Sequence, residues 1–131
     1  MRILGVDPGT LVTGFGLIEA QGSRLIHLGH GTVRTSSRTC LAERLAAIYE
    51  ELCRVVREFP PDALAVEKVF VAANVVSAMK LCHARGIALL AGAQHRIPVY
   101  EYSALQVKSA VVGYGKASKN QVQQMTRMIL K

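Results

Sequence analysis

The 131-residue sequence predicts one α/β domain: a five-stranded mixed sheet flanked by helices. Three observations carry that expectation. Arg2-Ile3-Leu4-Gly5-Val6 is a short run of strand-forming residues broken by Asp7-Pro8-Gly9-Thr10, which is turn chemistry. The next two connections are so short that they can only join antiparallel neighbours. A long amphipathic stretch then separates the third strand from the fourth, and a helix between strands implies a right-handed parallel crossover.

The elements follow in order. After the Asp7 turn, Thr13-Gly14-Phe15-Gly16-Leu17-Ile18-Glu19-Ala20 reads as the second strand, and Gln21-Gly22-Ser23 turns the chain into a third over residues 24–33. Gly14 and Gly16 mark either a close approach of another backbone or a bulge packed tightly under a helix. In residues 37–59 the apolar Leu41, Leu45, Ile48, Leu52, Val55, Val56 and Phe59 recur near a period of 3.6, the pattern of a helix capped by Ser37 or Thr39 and stopped by Pro60-Pro61. Asp62-Ala63-Leu64-Ala65-Val66 is the fourth strand and ends in Glu67. Residues 74–94 form a long helix that is apolar nearly all round, so it is buried on more than one side: wholly inside the domain, or against its own sheet and a second copy. Residues 96–101 form a fifth strand. Ser103 caps a helix through Val112, and residues 119–131 form the last.

Composition narrows the class of partner. Residues 1–67 carry 7 Lys and Arg against 8 Asp and Glu, whereas residues 68–131 carry 9 against Glu101 alone, so the excess positive charge lies in the second half. That asymmetry suits a polyanion such as nucleic acid, the alternative being a solvated basic face. No run approaches ~18 uncharged apolar residues and no signal peptide opens the chain, so the expectation is a cytoplasmic protein with no membrane span. Cys40, Cys53 and Cys82 lack C-x-x-C spacing, which fits free, buried thiols in a reducing compartment.

The chemistry centres on acids that end strands. Asp7 either opens its turn through an Asx-type bond or presents a charge where open α/β sheets bind ligands. If the crossover lays the fourth strand beside the first, Asp7 and Glu67 stand side by side and form a hard-cation site, with Mg²⁺ activating water for phosphodiester cleavage. The bland alternative pairs Glu67 with Lys68 or a nearby Arg. Spacing alone also nominates Glu101 as a third acid. Phe70, close to Glu67, either stacks on bases or belongs to the core. Gly113-Tyr114-Gly115-Lys116-Ala117-Ser118 is no Walker A loop, yet its amides with Lys116 and Lys119 either meet phosphates or form a solvated loop. The four histidines have no metal-ligand spacing.

These motifs together resemble a known family. Ile3-Leu4-Gly5-Val6-Asp7-Pro8-Gly9-Thr10, Thr13-Gly14-Phe15-Gly16, residues 61–70, Ser77-Ala78-Met79-Lys80-Leu81, Ala84-Arg85-Gly86, Gln106-Val107-Lys108 and Val111-Val112-Gly113 look like the RuvC-type Holliday junction resolvases. The resemblance implies a ribonuclease H-like fold with sheet order 3-2-1-4-5. It also implies a homodimer through the helix over residues 74–94, and Mg²⁺-dependent nicking of four-way DNA junctions, with Mn²⁺ as a substitute. By the same resemblance Asp7 and Glu67 are metal-binding catalytic acids, Phe70 contacts bases, and Lys108 and Lys119 bind DNA; Gly14 beside the Asp7 turn and Lys116 in the basic loop join them as DNA-binding candidates from their positions alone. Branch-migration motor proteins are the implied partners, and Glu101 matches no catalytic position, which withdraws its nomination.

One departure from the family pattern shapes the expectation for activity. The family carries two further acids, D-x-x-D or a variant, downstream of the last helix, and this chain has no acid after Glu101. The expectation is a domain shortened at its carboxyl terminus that cleaves poorly while still binding junctions. A sugar-kinase or actin-like ATPase shares the acid-turn-glycine opening but needs far more chain. A ribonuclease H-like enzyme processing RNA and a non-catalytic junction-binding module remain alternatives.

Overall fold

The computed structural model describes residues 1–69 and 74–130. Its elements are β1 (Arg2–Asp7), β2 (Val12–Gln21), β3 (Arg24–Arg34), α1 (Leu41–Glu58), β4 (Ala63–Glu67), α2 (Val75–Gln94), β5 (Val99–Tyr102), α3 (Ala104–Val112) and α4 (Lys119–Ile129). The sheet order is β3-β2-β1-β4-β5, with β1 to β3 antiparallel and β4 and β5 parallel to β1 and to each other, as expected.

The core lies on one face of this sheet. Alternation along the strands sends Leu4 and Val6, Leu17, Val33, and Leu64 and Val66 to the same side, where Ile48, Leu52, Val55 and Val56 of α1 and Ala88 and Ala91 of α2 close over them. Small residues let α2 come close. A Cβ placed on Gly92 would fall 2.5 Å from Val99 Cγ2 and 2.9 Å from Leu64 Cδ2. On the opposite face α3 and α4 contribute no fully buried residue to the domain. Each instead begins with a complete capping box, Ser103 with Gln106 and Ser118 with Gln121, which satisfies the free amides of the first turn.

Several expectations need correction. The α1 N-cap is Cys40, with no side-chain cap, because Ser36 opens a short turn that accepts from Arg38 and Thr39 and places Ser37 and Thr39 before the helix. Only Cys53 is buried; Cys40 and Cys82 are exposed, all three being free. β5 starts three residues late, at Val99, since Arg96 adopts a positive φ of 56° and Ile97 bonds back to Gly92. No backbone crowds Gly14 or Gly16, so neither marks a close approach. By length and composition alone α2 is apolar enough to cross a membrane, but it carries Lys80 and Arg85 and one side of it sits on the sheet.

Candidate metal centre

Asp7 and Glu67 meet because of two backbone facts. β1 and β4 are adjacent and parallel, with Val6 paired to Val66, so the next residue of each strand is an acid at the same sheet end. Two residues of one parity also face the same side, here the side away from the core. The turn after Asp7 is then locked. The Thr13 hydroxyl, buried, donates to the Gly9 carbonyl at 2.6 Å and accepts from the Gly9 amide at 3.1 Å. A Cβ on Gly9 would fall 2.2 Å from the Val12 carbonyl oxygen, so only glycine fits this turn. Thr35 of the segment after β3 clasps the same turn by donating its hydroxyl to the Thr10 carbonyl and its amide to that of Leu11, the latter at 2.9 Å.

The electrostatics match the geometry. Partial burial pushes the Glu67 carboxyl above the usual carboxylate range, and the charge of Asp7 and a hydrogen bond with it push further, while the Lys108 ammonium pulls the other way. Two neighbouring carboxylates repel unless a cation or proton stands between them. Their oxygen-only donors fit a hard divalent ion, which is normally held by one or two carboxylates together with water and substrate phosphate. Among the described residues no third His, Cys, Asp or Glu joins them.

The remaining candidates sort by distance from this pair. Gly14 is the β2 partner of Asp7, and Tyr102 is the β5 partner of Glu67, so the row across the sheet reads Gly14, Asp7, Glu67, Tyr102. A cavity of about 560 Å³ opens in front of the acids, walled by Leu81 of α2 and by Ser103, Ala104 and Leu105 at the start of α3. Lys108 is half-buried one turn further along α3; Lys116 and Lys119 are exposed beyond it. Phe70 lies outside the described residues. Glu101 is not a third ligand, because alternation turns it to the core face, where it pairs with Arg85. Sequence reasoning missed Thr13, Arg85 and Tyr102. Thr13, four residues from Gly9, and Arg85 stood in motifs of the family resemblance without a role of their own, and Tyr102 had no signal.

Fold and site together define a ribonuclease H-like protein with a paired-acid centre at the ends of its first and fourth strands. The family model for crossover junction endodeoxyribonuclease RuvC matches residues 3–131. A crossover junction endodeoxyribonuclease RuvC from Syntrophotalea carbinolica is 55% identical over 130 residues, covering 99% of this chain and 81% of that protein. The structure of T. thermophilus RuvC in complex with Holliday junction substrate superposes with a TM-score of 0.93 at 35% identity, over 99% of this chain and 79% of that one. The yeast mitochondrial Holliday junction resolvase Ydc2, with a TM-score of 0.70 and 12% identity, covers 98% of this chain and 62% of its own, and shares the fold. The chain belongs to the RuvC family of crossover junction endodeoxyribonucleases.

Proposed function

We propose that this chain is a structure-selective endonuclease that resolves four-way (Holliday) DNA junctions in recombination and repair, by symmetric, metal-dependent nicking. The observation that carries this reading is the convergence of Asp7 and Glu67, sixty positions apart in sequence, at one sheet end beside Lys108. Asp7 and Glu67 are then the catalytic acids and the metal ligands. Mg²⁺ is the favoured ion on donor chemistry, with Mn²⁺ able to replace it. When bound, the ion supplies activation of water and neutralisation of charge on the cleaved phosphate.

The chain's own residues do the rest. The Thr13–Gly9 clasp fixes where the Asp7 carboxylate points, and Gly14 beside it leaves room for a sugar-phosphate backbone. Lys108 faces the phosphate next to Glu67, while Lys116 and Lys119 neutralise flanking phosphates. The assignment of Phe70 to base contact rests on the family alone. Symmetric nicking calls for two sites, and the exposed Val75, Val76, Met79 and Leu90 of α2 support a homodimer through residues 74–94. Branch-migration motors as partners and a cytoplasmic location follow from the family. The whole of 1–131 serves as one nuclease domain.

Among the described residues two carboxylates alone form the centre, fewer acids than a two-metal site uses. That same observation keeps a non-catalytic junction-binding role as the second reading. Gel-shift and nicking assays on a four-way junction and a matched duplex separate the two. The nuclease reading expects preferential junction binding by the parent and by Asp7→Asn, with Mg²⁺-dependent nicks made by the parent alone. Nicks that persist in both Asp7→Asn and Glu67→Gln would overturn it.

A further inference from the structure

Arg85 of α2 and Glu101 of β5 form an ion pair on the core face of the sheet, behind the carboxylates. Their side chains keep only 30% and 27% of their surface exposed, and the Arg85 Nε is buried with no acceptor among the described residues. Desolvation offsets most of the attraction in such a pair, so it adds little stability; its best-attested use is to fix how two elements register.

The register here leads to the site. α2 rests directly on β4 and β5 at Gly92, where Val99 and Leu64 leave no room for a side chain. Two turns earlier Arg85 reaches Glu101, and one turn earlier again Leu81 walls the cavity with Asp7, Glu67, Ser103 and Leu105. α2 therefore runs antiparallel to β5, and the ion pair is its last fixed point before the cavity. On the β5 side, Tyr102 follows Glu101 and accepts the Lys68 amide at 2.8 Å, which joins the end of β5 to the residue after Glu67. Ser103 comes next and caps α3, the helix that carries Lys108.

We propose that the Arg85–Glu101 pair is a positioning device: it anchors the end of β5 to α2, so that the Ser103 cap and α3 hold Lys108 over the Glu67 carboxylate and the phosphate bound there. The phosphate half of this proposal rests on the junction-binding reading above; the placement of α3 does not. Glu101 is thus a positioning residue rather than a ligand.

The test combines backbone hydrogen exchange with junction affinity in Glu101→Gln, Lys108→Ala, the double variant, and the swap Arg85→Glu/Glu101→Arg. Losing one charged hydrogen bond should speed exchange of the α3 amides about tenfold, leave β1 and β4 unchanged, and weaken junction binding about three- to tenfold. In the Lys108→Ala background Glu101→Gln should have no further effect on affinity, since both act through one ammonium. The swap should restore exchange and affinity to within about twofold of the parent. Unchanged α3 exchange in Glu101→Gln, equal loss of protection in β1 and β4, or fully additive affinity losses would overturn the proposal. Should Glu101→Gln fail to fold, Arg85→Lys takes its place, with a smaller change in α3 supporting the proposal and none opposing it. If the parent shows no preference for a junction over duplex, the junction reading fails and the exchange measurements alone decide the positioning role.

Discussion

The two faces of the sheet are built on opposite principles. Toward α1 and α2, Leu4, Ile48, Leu52, Leu64 and Val66 are essentially inaccessible to water and carry the apolar burial of the domain. Toward α3 and α4 the floor is Gly5, Gly16 and Ala65, the helices bury nothing fully, and a cavity of about 650 Å³ runs from these small residues to Asp7 and Glu67. One face holds the fold and the other holds the paired acids. A charged, open site needs room and repelling carboxylates, both of which cost stability, and the domain confines that cost to the face that contributes least to it.

The largest expected difference between the faces is in stability. Leu64→Ala should destabilise the domain by about 2–5 kcal/mol in chemical denaturation, whereas Val107→Ala, half exposed on α3, should stay within about 1 kcal/mol. Equal costs would erase the distinction. The capping boxes come next. Ser103→Ala should cost about 0.5–2 kcal/mol, and hydrogen exchange should show the loss in α3 and not in the core strands.

Smaller still is the pH effect at the acids. The folded state holds Glu67 above its ordinary range, so the stability it contributes when protonated is complete at acid pH and is lost as pH rises through the raised value. Metal-free protein should therefore gain stability on acidification through that window, and Glu67→Gln should flatten the profile and raise the melting temperature at neutral pH. A parent and variant with the same pH profile would remove the repulsion. At the edge of the site, Lys119→Ala should weaken junction binding uniformly across sequences and lower the slope of log affinity against log salt by about one.

The fold was legible because local signals agreed with tertiary ones. The short turns, the 3.6-residue period of α1 and the capping Ser103 of α3 each specified their element, and a right-handed crossover allowed β4 beside β1, the order that the family resemblance implied. Asp7 and Glu67 were readable for the same reason, since each follows an apolar run and both sit one residue past the paired Val6 and Val66. Glu101 shows the limit of that reasoning. It too follows an apolar run, but β5 extends one residue beyond it, so Tyr102 takes the row of the acids and Glu101 turns inward to Arg85. A shift of one residue changes faces, and nothing in the local string fixes it. The Thr13 clasp and Arg85 were illegible because their partners become neighbours only once the strands and helices are assembled.

Whether Asp7 and Glu67 share one cation decides whether they form a metal centre. Thermal unfolding of the parent, Asp7→Asn and Glu67→Gln, each with and without Mg²⁺, measures this directly, because an ion that binds only the folded state raises the melting temperature in proportion to its binding. The parent should be stabilised by Mg²⁺ and each variant should lose most of that gain while remaining folded. A Mg²⁺-dependent rise of equal size in all three proteins would place the ion elsewhere and contradict the paired-acid centre.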